Sequence, residues 1–573
     1  MLNSLETTLG RRSFLALLSA AAATGALPQA APASSRVVPG KPGPDKAGPI
    51  SVKTIAEAEK LAGVSFTPAE RTQLAKTIND QVEGFASRLE GVTLPEDLFP
   101  ATTFNPVLPN VGLRPTTTTG AAGLPRPRRK RLPGDAAEIG FASIAELSHW
   151  IHSKQISCVD LAKVYLQRLK KYDTQLKCVI TLNETSALRQ AKILDRELAD
   201  GNSRGPLHGI PWGAKDLLDT EGIKTTFGAA PFKDRVPDST AEVVKRLDNA
   251  GAVLIAKLTL GALAYGDIWF GGRTNSPWDI EQGSSGSSAG PAAATAAGLV
   301  GFAIGSETCG SIISPCQNCG VFGLRPTFGR VPRDGAMALC WTLDKLGPIC
   351  RNVDDLAPIL AAINGASPGD PDSVTQPFHT GAEEGVRGLR VGYDPTWFDG
   401  IEDPEMWRVA RESVAKSGAT LVKITMPDMP WGVLFNILLV EAASAFESIT
   451  RDDSDDQLKW QAPEAWPNTF RQSWFIPAPE YVQAQRFRRR VMQVYADIFD
   501  RVDALLAPPY VSGTLIATNC TGHPALACPI GVGDDGLPRV AVLMGRLFDE
   551  GTLLRLGGVL EARAWARRRP PLT

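Results

Sequence analysis

Apolar residues recur along this chain in several distinct rhythms, and each predicts a different element. Between Thr67 and Gly91 they return every three or four positions, at Leu74, Ile78, Val82, Phe85 and Leu89, which predicts one amphipathic helix. Thr67-Pro68-Ala69-Glu70 marks its start, a capping box with proline at the first helical position. This stripe is expected to pack on the main body of the protein. Residues 36–49 and 93–135 show no period and are rich in Pro, Gly, Thr or Lys. The first reads as a flexible link and the second as an extended arm. From about Ile139 the pattern becomes that of an α/β unit. Ser143-Ile144-Ala145-Glu146 and Ser157-Cys158-Val159-Asp160 read as helix starts, and Ala252 to Ala256 as a strand. Pro291 to Leu299 is Ala-rich and reads as a buried helix, followed by an apolar strand from Val300 to Ile304. Gly/Ser clusters flank that pair, Gly283–Ser288 before it and Gly305–Ser311 after it. A helix–strand unit that brings two such loops together makes a catalytic cradle, because glycine lets backbone bend sharply and approach a ligand.

Composition changes this picture at a few points. The chain has 573 residues, 43% hydrophobic and 21% charged, which suits a globular protein. A net charge of −1 gives no global attraction to nucleic acid or an anionic membrane. The basic run Arg126, Arg128, Arg129, Lys130 and Arg131 has no interleaved aromatic residues and is expected to be a solvated linker. Near the N-terminus, Gly10-Arg11-Arg12-Ser13-Phe14-Leu15 is a twin-arginine pattern. Ala/Leu-rich sequence follows it to Leu27, and small residues run from Ala30 to Ser35. The apolar part is too short and Ala-rich for a good membrane span, so export of an already folded protein is expected. Nine cysteines, an odd number in scattered apolar surroundings, imply no disulfide framework.

Several residues carry candidate chemistry. Lys215 is a lone lysine among apolar residues at the end of a short strand-like run. Taken alone, it reads as a snorkelling side chain. If buried, it loses its proton more easily and can act as a base. Gly286-Ser287-Ser288-Ala289-Gly290 spells G-x-S-x-G, which would make Ser288 a nucleophile served by His523 or His379. That motif needs a preceding strand, whereas Arg273 to Gly283 is polar and broken by proline. Cys316-Gln317-Asn318-Cys319 is a single CxxC, a weak sign of redox or zinc chemistry. His149 and His152 lack a third ligand for a metal.

Longer blocks carry a resemblance. They are Gly205-Pro206-Leu207-His208-Gly209-Ile210-Pro211-Trp212-Gly213-Ala214-Lys215-Asp216, the segment from Gly286-Ser287-Ser288 to Gly305-Ser306-Glu307-Thr308-Cys309-Gly310-Ser311, and Cys319-Gly320-Val321-Phe322-Gly323-Leu324-Arg325-Pro326-Thr327. Together they resemble the amidase signature family, serine hydrolases with a Ser, cis-Ser, Lys triad. Thr342–Pro348, Asn519–Pro524 and Asp549–Leu554 resemble further blocks of the same family. The resemblance spans roughly 139–565. It implies one large α/β domain, a twisted mixed sheet covered by helices on both faces, with a helical extension before it. The expected division is 1–35 signal peptide, 36–135 extension and arm, and 136–567 amidase signature domain.

The resemblance implies Ser311 as nucleophile, Lys215 as base and Ser287 as proton relay after a non-proline cis peptide. Ser284 is the rival for the relay position, but Ser287, 24 residues before Ser311, fits the family spacing without a gap. Backbone N–H groups of Thr308, Cys309 and Gly310 are expected to bind the oxyanion. Lys257 is expected to be structural. Glu307, Cys309 and Ile313 depart from the family pattern and put the local hydrogen bonding in question. The function implied is an exported amidase, periplasmic or secreted, acting on a small-molecule amide with no cofactor and no metal. No nucleic-acid partner and no stable membrane insertion is expected, and a homodimer is left open. The Trp-rich stretch 366–480 is expected to build much of a substrate funnel. Two alternatives stand beside this: an amidotransferase A-subunit role, in which glutamine hydrolysis feeds tRNA-dependent transamidation, and a non-catalytic secreted binding protein on the same fold.

Overall fold

A computed structural model describes residues 50–91, 98, 102–109, 112–113, 123–381, 384–564 and 568–572. The twin-arginine pattern and the link at 36–49 lie outside the described residues.

Among the described residues, eleven strands form one mixed sheet in the spatial order β1 (Val179–Leu182), β3 (Val253–Leu258), β2 (Pro211–Lys215), β6 (Phe302–Glu307), β8 (Lys345–Cys350), β7 (Phe322–Arg325), β12 (Ala525–Val532), β13 (Pro538–Gly545), β11 (Ala504–Ala507), β9 (Arg390–Tyr393) and β10 (Thr420–Lys423); β4 (Ile268–Trp269) and β5 (Gly272–Arg273) form a separate two-stranded hairpin. Inside one edge of the sheet run β3 (Val253–Leu258), β2 (Pro211–Lys215) and β6 (Phe302–Glu307), with β2 parallel to both neighbours. Every residue of these three strands is buried, as a parallel sheet covered on both faces requires. β8 (Lys345–Cys350) and β7 (Phe322–Arg325) continue the sheet antiparallel, and β12 (Ala525–Val532) follows β7. Helices flank the sheet: Glu550–Ala564 packs on β12, and Glu184–Ala199 packs on β3.

The Ala-rich helix runs from Ala289 to Ala296, starting two residues and ending three residues earlier than the pattern predicts, and all eight of its residues are buried. It packs against β2, β3, β6 and β8. Small side chains permit that approach; a Cβ on Gly290 would lie 2.5 Å from Cys178 O and Thr259 N. Gly298, at φ +65°, turns the chain, so the next strand starts at Phe302 rather than Val300.

Ser143 and Ser157 cap helices Ile144–His152 and Cys158–Leu176 as their sequences predict. In the extension, helix Val52–Ala62 pairs with Pro68–Gly91. Thr67 and Glu70 make both capping-box bonds, 2.6 and 3.3 Å. The stripe on the second helix is half-buried at Leu74 and Ile78, but Val82 is exposed. The side chains of Phe85 and Leu89 lie outside the described set. The basic run is not uniformly solvated: half-buried Arg129 pairs with Glu138 at 2.6 Å and with buried Glu146 at 2.9 Å. All nine cysteines are free thiols, and Cys316 and Cys319 lie buried in one short helix.

Candidate active site

Lys215 ends β2 and is wholly buried. Its Nζ lies 2.7 Å from Ser287 Oγ, 2.9 Å from Ser306 Oγ and 3.1 Å from Ser288 Oγ. Among the described residues, no carboxylate forms an ion pair with it. Burial depresses its pKa well below the ordinary lysine value, against the weaker pull of Asp344 and Glu307. Lys257, one strand over, is a different case. It is also buried, but it pairs with Asp216 at 3.3 Å and donates to Leu218 O and Thr225 Oγ1, so it serves the structure.

The Gly286–Ser287 peptide is cis. Ser287 is buried between the two Gly/Ser loops, and Ser288 N donates to Ser311 O at 3.0 Å, which ties those loops together. Ser311 is half-buried and lines a cleft of about 130 Å³. Its hydroxyl makes no hydrogen bond among the described residues, so Lys215 and Ser287 touch while Ser311 joins them through backbone. A catalytic bond that forms only with substrate bound behaves in this way.

The loop carrying Ser311 is braced by a residue the family pattern does not contain. Glu307 Oε2 accepts the N–H groups of Ile312 and Ile313, both at 2.9 Å. Its Oε1 accepts Arg325 Nη1 at 2.7 Å and Asn519 Nδ2 at 2.9 Å. Burial works to raise the Glu307 pKa, but Arg325, the Ile313 N–H and the Asn519 amide hold it below the usual carboxylate range. The departure from Asp to Glu therefore leaves a fully engaged carboxylate. Gly310 has φ +98°, a turn that needs glycine. The N–H groups of Thr308, Cys309, Gly310 and Ser311 make no hydrogen bond among the described residues, and Thr308, Cys309 and Ser311 line the cleft.

The G-x-S-x-G reading does not survive. No strand immediately precedes Ser288, which is fully buried and bonded to Ser306 backbone O and N at 3.1 and 3.2 Å. His523 bonds Thr521 and stacks on Phe499, and His379 pairs with Glu384. Of the Trp-rich stretch, Trp460 and Trp466 line the cleft, while Trp397 and Trp407 are buried in the core and Trp474 is exposed. Sequence reasoning missed Ser306, a strand residue that faces Lys215, and the cleft residues Tyr265 and Asp267. Ser306 carries a readable signal, a hydroxyl residue within a buried strand.

This fold and this buried amine–hydroxyl cluster define the serine–lysine class of amide hydrolases. The chain belongs to the amidase signature family: the family model described as Amidase matches residues 160–554. The A-subunit of the glutamyl-tRNA(Gln) amidotransferase of Moorella thermoacetica is 32% identical over 485 residues, 76% of this chain and 99% of that protein. Among solved structures, the native peptide amidase from Stenotrophomonas maltophilia superposes with a TM-score of 0.69 at 30% identity, covering 75% of this chain and 98% of that one. An amidase family protein from Bacillus anthracis gives 0.69 at 25% identity, covering 76% and 93%. The protein is a hydrolase of C–N amide bonds.

Proposed function

We propose that this is a free-standing amidase that hydrolyses the amide of a small molecule with an apolar or aromatic portion, through an acyl-enzyme on Ser311. The observation that carries this is the neutral-amine geometry of Lys215. A neutral amine has two N–H donors and one lone pair. The Ser288 hydroxyl proton is committed to Ser306 O at 3.1 Å, so Ser288 accepts from Nζ. Ser306 Oγ takes the second N–H at 2.9 Å. The lone pair then faces the Ser287 hydroxyl, the nearest partner at 2.7 Å. Ser287 gives its proton to Lys215 and takes one from Ser311, whose oxygen attacks the amide carbon. The N–H groups of Thr308, Cys309 and Gly310 hold the oxyanion. The proton on Lys215 returns through Ser287 to the leaving amine, and water then releases the acyl group.

The apolar wall of the cleft, from Leu438, Leu439, Phe435 and Trp466, supports the substrate class. The test is purified protein against aryl amides, peptide amides and glutamine, with mass mapping of a fluorophosphonate adduct. Hydrolysis of aryl or peptide amides with the adduct on Ser311 is expected. An adduct on Ser288, or glutamine alone hydrolysed, overturns the reading.

The second reading, an amidotransferase A-subunit role, is favoured by the curated relatives, which carry that name and are matched over nearly their whole length. Against it stands the cleft, whose described lining includes two carboxylates, Asp267 and Glu464, and no Lys, Arg or His to pair with the carboxylate of glutamine. Export belongs to the first reading. The twin-arginine pattern supports a periplasmic or secreted location, and no helix of the described residues is long and apolar enough to cross a membrane. Replacing Arg11 and Arg12 with lysine should leave the protein in the cytoplasmic fraction; unchanged fractionation removes export from the proposal.

A further inference from the structure

The cleft at Ser311 has an aromatic and acidic character that the amidase reading does not use. Tyr265 sits with its ring centroid 5.0 Å from that of Trp460 and 5.0 Å from that of Trp466. All three line the cleft, as do the carboxylates Asp267 and Glu464. Among the described lining residues there is no Lys, Arg or His. Arg333 lines an adjoining cavity, but its guanidinium is held by Asp370 and Asp372, each at 2.8 Å.

Asp267 is 1% exposed. One of its oxygens accepts the Ser285 N–H at 3.0 Å, and the other has no hydrogen-bond partner among the described residues. Arg273 donates to Asn275 Oδ1 and Glu281 O rather than to this carboxylate. A buried carboxylate oxygen without a partner is costly, and a site that keeps one on the wall of a ligand cleft gains when a ligand supplies a donor. Burial raises the Asp267 pKa to about 6, against the weaker pulls of the Ser285 N–H and of Arg273. Aromatic faces near carboxylates attract a cation through the ring quadrupole and repel an anion.

Resting on the amidase reading, we propose that the substrate is an amide whose acyl or amine portion carries a positively charged nitrogen, seated among Tyr265, Trp460 and Trp466 and facing Asp267 and Glu464. The reacting amide then lies toward Ser311, on the Gly286 and Thr308 side of the same cleft.

Equilibrium binding to the Ser311→Ala protein, by calorimetry, separates this from turnover. The probes are 4-(aminomethyl)benzamide, protonated at neutral pH and so a donor, its neutral isostere 4-ethylbenzamide, and 4-(carboxymethyl)benzamide. The cation is expected to bind at least tenfold tighter than the isostere, and the carboxylate weaker than both. That ratio should fall toward one in Asp267→Asn and in Glu464→Gln made in the same background. Equal binding of cation and isostere overturns the proposal, as does a ratio that neither variant changes. Wild-type protein that hydrolyses cation and isostere equally well keeps the amidase reading and sinks this one. Preferential binding of the cation with no hydrolysis of any probe does the reverse.

Discussion

At the scale of single residues, the decisive contrast is between two buried lysines on adjacent strands. Lys257 has Asp216 at 3.3 Å; Lys215 has three serine hydroxyls and, at 3.5 Å, the Ser306 carbonyl. Burial depresses the pKa of both amines, but Asp216 pulls that of Lys257 back up, whereas Lys215, with no carboxylate in contact, is held well below the ordinary lysine value. On the proposed function, in which Lys215 works unprotonated, kcat/KM should be flat at alkaline pH and fall as pH drops through the depressed Lys215 pKa. Lys215→Ala should cost about 10²–10⁴-fold or more in kcat/KM and abolish that limb, with the circular dichroism spectrum unchanged. A variant with full activity refutes the role. Asp355 makes a second, independent prediction. It is 1% exposed, and burial, helped by Asp354, raises its pKa to about 7. A carboxyl whose folded pKa lies above its unfolded value adds stability at low pH, and that contribution is lost as pH rises toward 7. Asn keeps the acceptor for the Ile144 N–H, now 3.0 Å away. The Tm of Asp355→Asn relative to wild type should thus rise between pH 4 and pH 8; a constant difference contradicts the assignment.

At the scale of elements, the site is two loops held against one strand end, and the holding is done by ion pairs and amides remote in sequence. Glu307 closes β6, Arg325 closes β7, and Asn519 lies in helix Thr514–Thr521; their side chains meet under the Ile312 and Ile313 N–H groups. Glu307→Gln leaves Arg325 without its counter-charge, and breaking such a buried pair costs about 3–5 kcal/mol. Equilibrium denaturation should show that loss at neutral pH, together with reduced turnover. The carboxylate's contribution is present above its unfolded pKa and is lost as pH falls through its lowered folded value, so the deficit of the variant should shrink in acid. That Lys215 and the two Gly/Ser loops of Ser287 and Ser311 come together was legible because each sits in a short contiguous block with its own glycine and serine spacing. The boundaries around them were less so: Gly298 in the left-handed region moved the strand start from Val300 to Phe302, a turn that apolar periodicity does not register. The bracing by Glu307 read as a defect in the sequence, since a longer acid in place of Asp says nothing of the four donors it meets. The cleft was barely legible. Tyr265 and Asp267 follow β3, while Trp460, Glu464 and Trp466 come from about 200 residues later, and only the folded chain sets them face to face.

At the scale of the whole molecule, several strands that lie side by side are far apart in sequence, β2 beside β6 and β7 beside β12, so long-range ties carry the architecture. One tie involves a segment outside the sheet. Arg488, buried in helix Ala478–Arg501, donates to Thr342 O at 2.7 Å, Thr342 Oγ1 at 3.0 Å and Cys520 O at 2.5 Å. Its guanidinium lies 3.3 Å from the ring centre of Phe104, which also packs edge-on against Phe328 at 5.2 Å. Phe104 N donates to Asp372 Oδ1 at 3.0 Å, and Asp372 in turn pairs with Arg333. The arm at 102–109 thus covers a buried cation that otherwise rests on carbonyl and hydroxyl oxygens. Removing residues 1–101 leaves every one of these contacts in place and should preserve both Tm and turnover. Removing residues 1–109 bares Arg488 and leaves the Asp372 acceptor without its arm donor. Phe104→Ala isolates the aromatic part of that loss, about 1–3 kcal/mol from apolar area and the cation–ring contact. The expected order of stability by denaturant titration is full chain equal to the 102-start protein, then Phe104→Ala, then the 110-start protein. If the 110-start protein is as stable as the full chain, the arm is an appendage and Arg488 is held by its oxygen partners alone.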